Sequence, residues 1–123
     1  MLAVDDEPLL LQVVARMLEG AGYQVATAAS ALEALDRLDG MRPGPDLLLT
    51  DVRMDPVDGA SLARLVRHVH PGLPVLFMSG YAPDLDGLPG PFLAKPFGVE
   101  QLVAAVGGLM SAPRMHGGFT PIQ

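Results

Sequence analysis

The sequence lacks cysteine and has few basic residues, and each shortage excludes a class of function. Without cysteine no disulfide can form. Eight Lys and Arg residues against fourteen Asp and Glu give a net charge of −6, so unaided binding to nucleic acid is not expected, because that affinity comes largely from neutralising phosphates. No apolar run reaches the roughly 18 residues that a membrane span needs, and no signal-peptide pattern begins the sequence. We therefore expect a cytoplasmic location and no membrane partner.

Short apolar runs alternate with amphipathic stretches along the chain, which predicts an α/β fold with a parallel sheet and crossover helices on both faces. The 123 residues suit one domain. Strands are predicted at 1–4, 23–27, 46–50, 74–78 and 92–94, and helices at about 8–21, 31–40, 60–69 and 98–110. The carboxyl ends of strands form the ligand crevice in open parallel sheets, so the residues that follow the strands are candidates for a functional site.

Acidic residues follow two of the predicted strands. Asp5 and Asp6 come directly after the first strand, and Asp51 follows the third. Two unit charges about 4 Å apart repel by roughly 4 kcal/mol at an effective dielectric near 20, so three carboxylates at one sheet edge need protons or a bound cation. A hard divalent cation, which prefers oxygen ligands, is the natural partner.

Two further strand ends add a hydroxyl and an ammonium group. Ser79 follows the fourth predicted strand and Lys95 follows the fifth. Carboxylates for a metal, a carboxylate nucleophile, and a hydroxyl and a cation for phosphoryl oxygens are the groups required for phosphoryl transfer to aspartate. The sequence therefore indicates that chemistry at this edge of the sheet.

Five short motifs, taken together and in this order, resemble the receiver domain of bacterial two-component response regulators. They are Val4-Asp5-Asp6-Glu7-Pro8, Thr50-Asp51-Val52-Arg53-Met54, Asp58-Gly59, Met78-Ser79-Gly80-Tyr81 and Lys95-Pro96-Phe97. The resemblance implies a doubly wound five-stranded parallel sheet in the order 2-1-3-4-5 and a receiver domain over residues 1–110. Residues 111–123, rich in proline and glycine, are expected to form a disordered tail. The resemblance also implies a self-catalysed phosphoacceptor with slow autophosphatase activity, which is not an enzyme acting on a separate substrate.

The resemblance assigns the acidic residues their roles. Asp51 is the expected phosphoacceptor and site of phosphorylation. Asp6 and Asp51 are expected to ligate Mg²⁺ directly, with Asp5 assisting through water and the main-chain carbonyl of Arg53 completing the protein ligands. This set agrees with the preference of Mg²⁺ for octahedral oxygen coordination that includes several waters.

The other motif residues receive catalytic and switching roles in the same way. Lys95 would neutralise the phosphoryl group, and the Ser79 hydroxyl would donate a hydrogen bond to it. Phe92 matches the family's switch aromatic, and Lys95-Pro96 matches its cis peptide bond. The expected phosphodonor is a sensor histidine kinase or a histidine phosphotransfer protein.

The stretch 81–91 departs from the receiver pattern. It is short and rich in proline and glycine, so the fourth helix of the family is predicted to be shortened or missing. Because regulators commonly dimerise through the face that this helix helps to form, we expect a monomer. Leu9 and Leu11 are predicted off the main apolar face of the first helix, which commonly meets the donor in this family, and both are expected docking residues.

Three alternatives share part of this pattern. An aspartate-nucleophile phosphatase of the haloacid dehalogenase type also combines an Asp, a hydroxyl, a Lys and Mg²⁺, but such enzymes carry a second Asp two residues after the nucleophile, where this sequence has Arg53. A flavodoxin shares the fold, but its first loop must hold a phosphate, which Asp5 and Asp6 would repel. The third is a degenerate receiver that acts only as a binding scaffold. The Met78-Ser79-Gly80-Tyr81 motif also looks like the receivers of hybrid histidine kinases.

Overall fold

Five parallel strands form a single sheet in the order β2-β1-β3-β4-β5 in this computed structural model, which describes residues 1–81 and 87–111. The strands are β1 (Leu2–Val4), β2 (Ala26–Ala28), β3 (Leu48–Asp51), β4 (Val75–Ser79) and β5 (Phe92–Ala94). The helices in the described residues are α1 (Pro8–Gly20), α2 (Ala31–Asp39), α3 (Gly59–Val69) and α4 (Val99–Ser111). The predicted fold class and strand order are confirmed.

The three central strands are buried because helices cover both faces of the sheet. Alternate residues of a strand point to opposite faces, and the core divides accordingly. Leu2, Leu48 and Phe77 belong to the cluster packed by α2 and α3. Ala3 and Leu76 belong to the cluster packed by α1 and α4. Continuous apolar runs in the sequence are therefore what two-sided burial requires.

The strand register brings the carboxyl ends of the strands together. Val4 of β1 pairs with Thr50 of β3, so the next residue along each strand is an aspartate at the same edge. Ser79 of β4 pairs with Ala94 of β5, and Lys95 follows immediately. Four predicted site residues therefore share one edge because of backbone pairing alone.

Two helices begin at capping residues that stabilise their first turns. The Ser30 hydroxyl accepts a hydrogen bond from the Glu33 N–H at 3.1 Å, which caps the start of α2. A carboxylate oxygen of Asp58 accepts from the Ser61 N–H at 2.8 Å at the start of α3. The Asp58 cap determines where α3 begins, and it therefore sets the end of the loop that follows Asp51.

The buried face of α1 differs from the predicted one. Its buried residues are Leu11, Val14 and Leu18, which recur at i, i+3 and i+7. Leu11 is only 8% exposed, so its prediction as a surface residue is wrong. Val13 is 45% exposed. Apolar residues surround more than half of this helix, so its sequence fits two rotations and the packing against the sheet selects one.

The remaining differences concern the ends of elements. β2 begins three residues later and ends one residue later than its predicted span, and it pairs with β1 alone, since it is an edge strand. Between β4 and β5, residues 87–91 contain no helix, while 82–86 lie outside the described residues. Residues 112–123, most of the predicted tail, also lie outside them, and Ser111 belongs to α4. Among the described residues, no helix is long and apolar enough to cross a bilayer.

Candidate functional site

Three carboxylates meet at the carboxyl edge of the sheet, as the sequence predicts. Each of Asp5, Asp6 and Asp51 offers an oxygen, and these oxygens lie within 4.8 Å of one another. Asp5 and Asp51 are buried, whereas Asp6 is exposed. The cluster thus has an interior side formed by the sheet and an open side toward solvent.

Lys95 joins the two buried carboxylates. Its Nζ donates to Asp51 Oδ1 at 3.1 Å and to Asp5 Oδ2 at 3.3 Å. Both ion pairs are largely shielded from water, which strengthens their electrostatics relative to surface pairs. The predicted cis peptide bond between Lys95 and Pro96 is present.

The electrostatics of the cluster favour a bound cation. Burial raises the pKa of the Asp51 carboxyl, the Asp5 and Asp6 charges raise it further, and Lys95 offsets part of this rise. Burial lowers the pKa of Lys95, but the Asp5 and Asp51 carboxylates outweigh burial, so its pKa is raised overall. Three ionised carboxylates and one ammonium leave two negative charges, and Mg²⁺ prefers such oxygen ligands. The donor set therefore fits a hard divalent cation.

Ser79 ends β4 and is buried beside the cluster. Its hydroxyl donates to the Tyr81 carbonyl and accepts from the Tyr81 N–H, both at 3.1 Å. In this structure the hydroxyl therefore holds the turn after β4. It would have to exchange these bonds to reach a group on Asp51.

Arg53, in the loop after β3, and Tyr81, in the loop after β4, contact each other. The Arg53 guanidinium carbon lies 4.1 Å from the centre of the Tyr81 ring, which is cation–π geometry. Arg53 also lines a depression of about 380 Å³ with Asp6, Asp55 and Asp58. This stacking could not be predicted from the sequence, because it depends on the conformations of two loops.

The backbone of Asp51 has two close neighbours that sequence reasoning missed. The buried Thr50 hydroxyl donates to the Asp51 carbonyl oxygen at 3.0 Å. Gly59, the first residue of α3, lies against the same carbonyl group, and its N–H donates to the Val52 carbonyl at 2.9 Å. The Asp58-Gly59 motif was the available signal, since glycine is needed where backbones approach closely.

A groove of about 370 Å³ runs along α1 beside the site. We call it the α1 groove; it is lined by Leu10, Val13, Met17, Pro96 and Phe97, with Glu7 and Lys95. Leu9 lies on the same helix and is 74% exposed. A larger cavity of about 730 Å³ lies at the opposite edge of the sheet, near Met1 and Asp46, and contains none of the clustered acids. The α1 groove reaches the site through Lys95, as the depression beside Arg53 does through Asp6.

Phe92 lies on the edge strand β5, opposite Phe77 of β4. Its side chain is 49% exposed, which leaves room for the ring to move. The predicted switching role remains a prediction.

Comparison with known proteins identifies the family of this chain. A family model described as the response regulator receiver domain matches residues 1–107. The sensor kinase CckA of Brucella abortus (strain 2308) is 38% identical over 111 residues, which cover 85% of this chain and 12% of the kinase. The transcriptional regulator NtrC of Klebsiella pneumoniae is 37% identical over 110 residues, which cover 84% of this chain and 23% of the regulator.

A solved structure shows the same architecture. The crystal structure of the receiver domain of NtrX from Brucella abortus superposes with a TM-score of 0.79 at 27% identity, covering 91% of this chain and 98% of that chain. The present chain therefore spans less than a quarter of the length of each of the two curated relatives. It spans nearly the whole length of the NtrX receiver domain. With the family model matching nearly the whole chain, we conclude that the chain belongs to the response regulator receiver domains of two-component systems.

Proposed function

We propose that this receiver domain accepts a phosphoryl group on Asp51 from a phosphohistidine of a sensor histidine kinase or histidine phosphotransfer protein. One observation carries the proposal. The buried carboxylate of Asp51 lies within a three-acid cluster and is held by Lys95 at 3.1 Å. Receiver domains interact with such kinases and phosphotransfer proteins, and the family typically binds Mg²⁺.

The transfer requires little beyond positioning and charge stabilisation. A carboxylate oxygen of Asp51 attacks phosphorus, an O–P bond forms, and the P–N bond to the imidazole breaks with its electron pair passing to the nitrogen. Lys95 remains beside Asp51 and neutralises phosphoryl charge. The Ser79 hydroxyl leaves Tyr81 and donates to a phosphoryl oxygen. Hydrolysis of the aspartyl phosphate, which is the slow autophosphatase activity, regenerates the carboxylate.

Asp6 and Asp51 would ligate Mg²⁺ directly, with Asp5 assisting through water and the Arg53 carbonyl as a further ligand. When bound, Mg²⁺ supplies positive charge for the phosphoryl oxygens and relieves repulsion among the acids. The fit rests on three carboxylate oxygens within 4.8 Å of one another and on the pKa of Asp51, which burial and neighbouring acids raise.

The donor would dock along α1. We propose the α1 groove, together with exposed Leu9, as the surface that receives the histidine-bearing helix. Lys95 lines this groove and also contacts Asp51, so a helix seated there lies next to the acceptor. Leu11 has no part in this surface, because it is buried in the core.

We propose that the domain is cytoplasmic. We also propose that it is a monomer, since residues 87–91 do not form the helical face through which regulators commonly pair. The phosphatase alternative gains no support, because Arg53 stacks on Tyr81 where such an enzyme needs a carboxylate.

Mass spectrometry after incubation with a small acyl phosphate and Mg²⁺ tests the proposal. Wild type should gain one phosphoryl group that is lost on Asp51→Asn. Asp55→Asn, a nearby exposed acid, is the matched control and should be phosphorylated as wild type. An unchanged adduct on Asp51→Asn would refute the assignment.

A further inference from the structure

Gly59 lies so close to the main chain of Asp51 that no side chain fits between them. A Cβ on Gly59 would lie 2.1 Å from the Asp51 carbonyl oxygen and 3.0 Å from its carbonyl carbon. Real Cβ atoms essentially never approach other atoms within 3.0 Å. Any other residue would therefore require the two backbones to separate by about 1 Å.

The surroundings do not let a flexible side chain absorb this separation. The atoms nearest the missing Cβ belong to the backbone of Asp51 and to the Thr50 hydroxyl, 3.1 Å away. Thr50 is fully buried, and its hydroxyl donates to the same Asp51 carbonyl oxygen. On the other side, the Val52 N–H donates to the Met78 carbonyl at 3.0 Å and ties this segment to β4. A change at Gly59 must therefore displace backbone.

We propose that Gly59 is a positioning residue for the phosphoacceptor. Because Gly59 has no side chain, its backbone can approach the Asp51 carbonyl oxygen, and the Thr50 hydroxyl donates a hydrogen bond to the same oxygen. Together the two contacts fix the main chain from which the Asp51 carboxylate projects toward Lys95. Gly59 acts through Asp51 and has no contact of its own with the phosphodonor. The inference rests on the proposed function, since positioning matters to the rate only if Asp51 is the acceptor.

The main test is Gly59→Ala, with phosphorylation by a small acyl phosphate measured at saturating Mg²⁺ and corrected for the folded fraction. A displacement of about 1 Å at a reacting group costs roughly a hundredfold in rate. We expect that loss in the maximal rate constant, with little change in the donor concentration for half-maximal rate. Gly107→Ala on α4 is the matched control, because a Cβ there meets nothing within 4 Å, and it should keep the wild-type rate.

Thr50 provides a second, independent variant. Thr50→Val removes the hydrogen bond to the Asp51 carbonyl at nearly constant volume and should lower the maximal rate roughly fivefold. Thr50→Ser retains the hydroxyl and should restore the rate to within about twofold of wild type. Thr27→Val on the edge strand β2 is the control and should leave the rate unchanged. If Gly59→Ala does not fold, the rates of Thr50→Val and Thr50→Ser test the proposal in its place. A wild-type rate in Thr50→Val would then overturn it.

A crystal structure of Gly59→Ala separates this inference from the proposed function. Displacement of the Asp51 carbonyl by about 1 Å supports the structural part of the inference, that Gly59 sets the position of the Asp51 main chain. If wild type nevertheless accepts no phosphoryl group, the proposed function fails, and with it the effect of this position on a rate. A folded Gly59→Ala with an undisplaced Asp51 and a wild-type rate would overturn the inference.

Discussion

Lys95 Nζ lies 3.1 Å from Asp51 Oδ1, although the two residues are 44 positions apart in the sequence. The same nitrogen contacts Asp5, which is 90 positions away, at 3.3 Å. Parallel strands β1, β3 and β5 deliver these residues to one edge, and the lysine carries the positive charge that two buried carboxylates require. The contact is therefore an electrostatic requirement of the two buried acids.

Asp6→Asn should weaken Mg²⁺ binding but raise the melting temperature of the metal-free protein, because it removes one of three clustered negative charges. In wild type, Mg²⁺ at a hundredfold excess over its Kd should add about 2.7 kcal/mol to the free energy of unfolding. Calorimetric unfolding with and without Mg²⁺ measures both effects. Asp36→Asn, at an exposed position of α2, is the control and should change neither Mg²⁺ binding nor the metal-free melting temperature. A lower metal-free melting temperature for Asp6→Asn would contradict the repulsion argument.

The stability contributed by Asp51 should fall as pH rises in the absence of metal. The folded-state pKa of Asp51 is raised above its ordinary value of 3.8, so the native state binds more protons than the unfolded state. This contribution is fully present below pH 3.8 and is lost as pH rises through the raised value. The pKa of Lys95 is also raised, so its contribution is retained below pH 10.5 and lost above it.

Urea unfolding of wild type and Asp51→Asn between pH 4 and pH 8 measures the Asp51 effect, since both proteins keep Lys95. The advantage of Asp51→Asn over wild type should grow as pH rises above the ordinary value of 3.8. A difference in unfolding free energy that stays constant or shrinks over this interval would show that the carboxyl is not destabilised by its surroundings.

The Arg53–Tyr81 stack should lengthen the life of the aspartyl phosphate. Arg53 lies two residues after Asp51 and Tyr81 lies two residues after Ser79, so we expect their stack to limit the access of hydrolytic water. Neither side chain orients water as a carboxylate or amide would. The wild-type aspartyl phosphate should therefore decay more slowly than that of an Arg53→Asn, Tyr81→Glu double variant. A stack worth about 0.5–1 kcal/mol corresponds to roughly a twofold to fivefold difference.

Decay of the phosphorylated protein, followed by intact mass, measures this difference. Arg64→Asn, an exposed arginine on α3, serves as the charge control and should decay as wild type. Decay of wild type as fast as that of the double variant would exclude a shielding role for the stack.

Transfer from a phosphohistidine donor should depend on α1. Val13→Glu in the α1 groove and Leu9→Glu beside it should each slow transfer by roughly fivefold or more, because a charge would enter an apolar contact. Phosphorylation by a small acyl phosphate should be unaffected in both. Leu65→Glu on α3 is matched to Val13 in exposure, at 47% against 45%, but α3 packs on the other face of the sheet. Equal slowing by all three variants would exclude a specific docking surface.

Most of the site was predictable because its residues sit where apolar runs stop. Asp5, Asp51, Ser79 and Lys95 each end or follow such a run, and parallel pairing then requires that they meet. The rotation of α1 was not predictable, because Leu9, Leu11 and Val13 are all apolar and only packing distinguishes them. The Arg53–Tyr81 contact depends on two loop conformations that no periodicity encodes.

The alternation of core residues along β1, β3 and β4 also links assembly of the site to correct folding. Because successive residues face opposite sides, slippage of one strand by a single position would exchange its two apolar faces and shift its terminal acid or hydroxyl by one residue. A misregistered chain would thus lose the packed core and the clustered acids in the same step. Only molecules whose strands pair in the correct register can bring the acceptor site together. Correct packing of the core is therefore a condition for the chemistry.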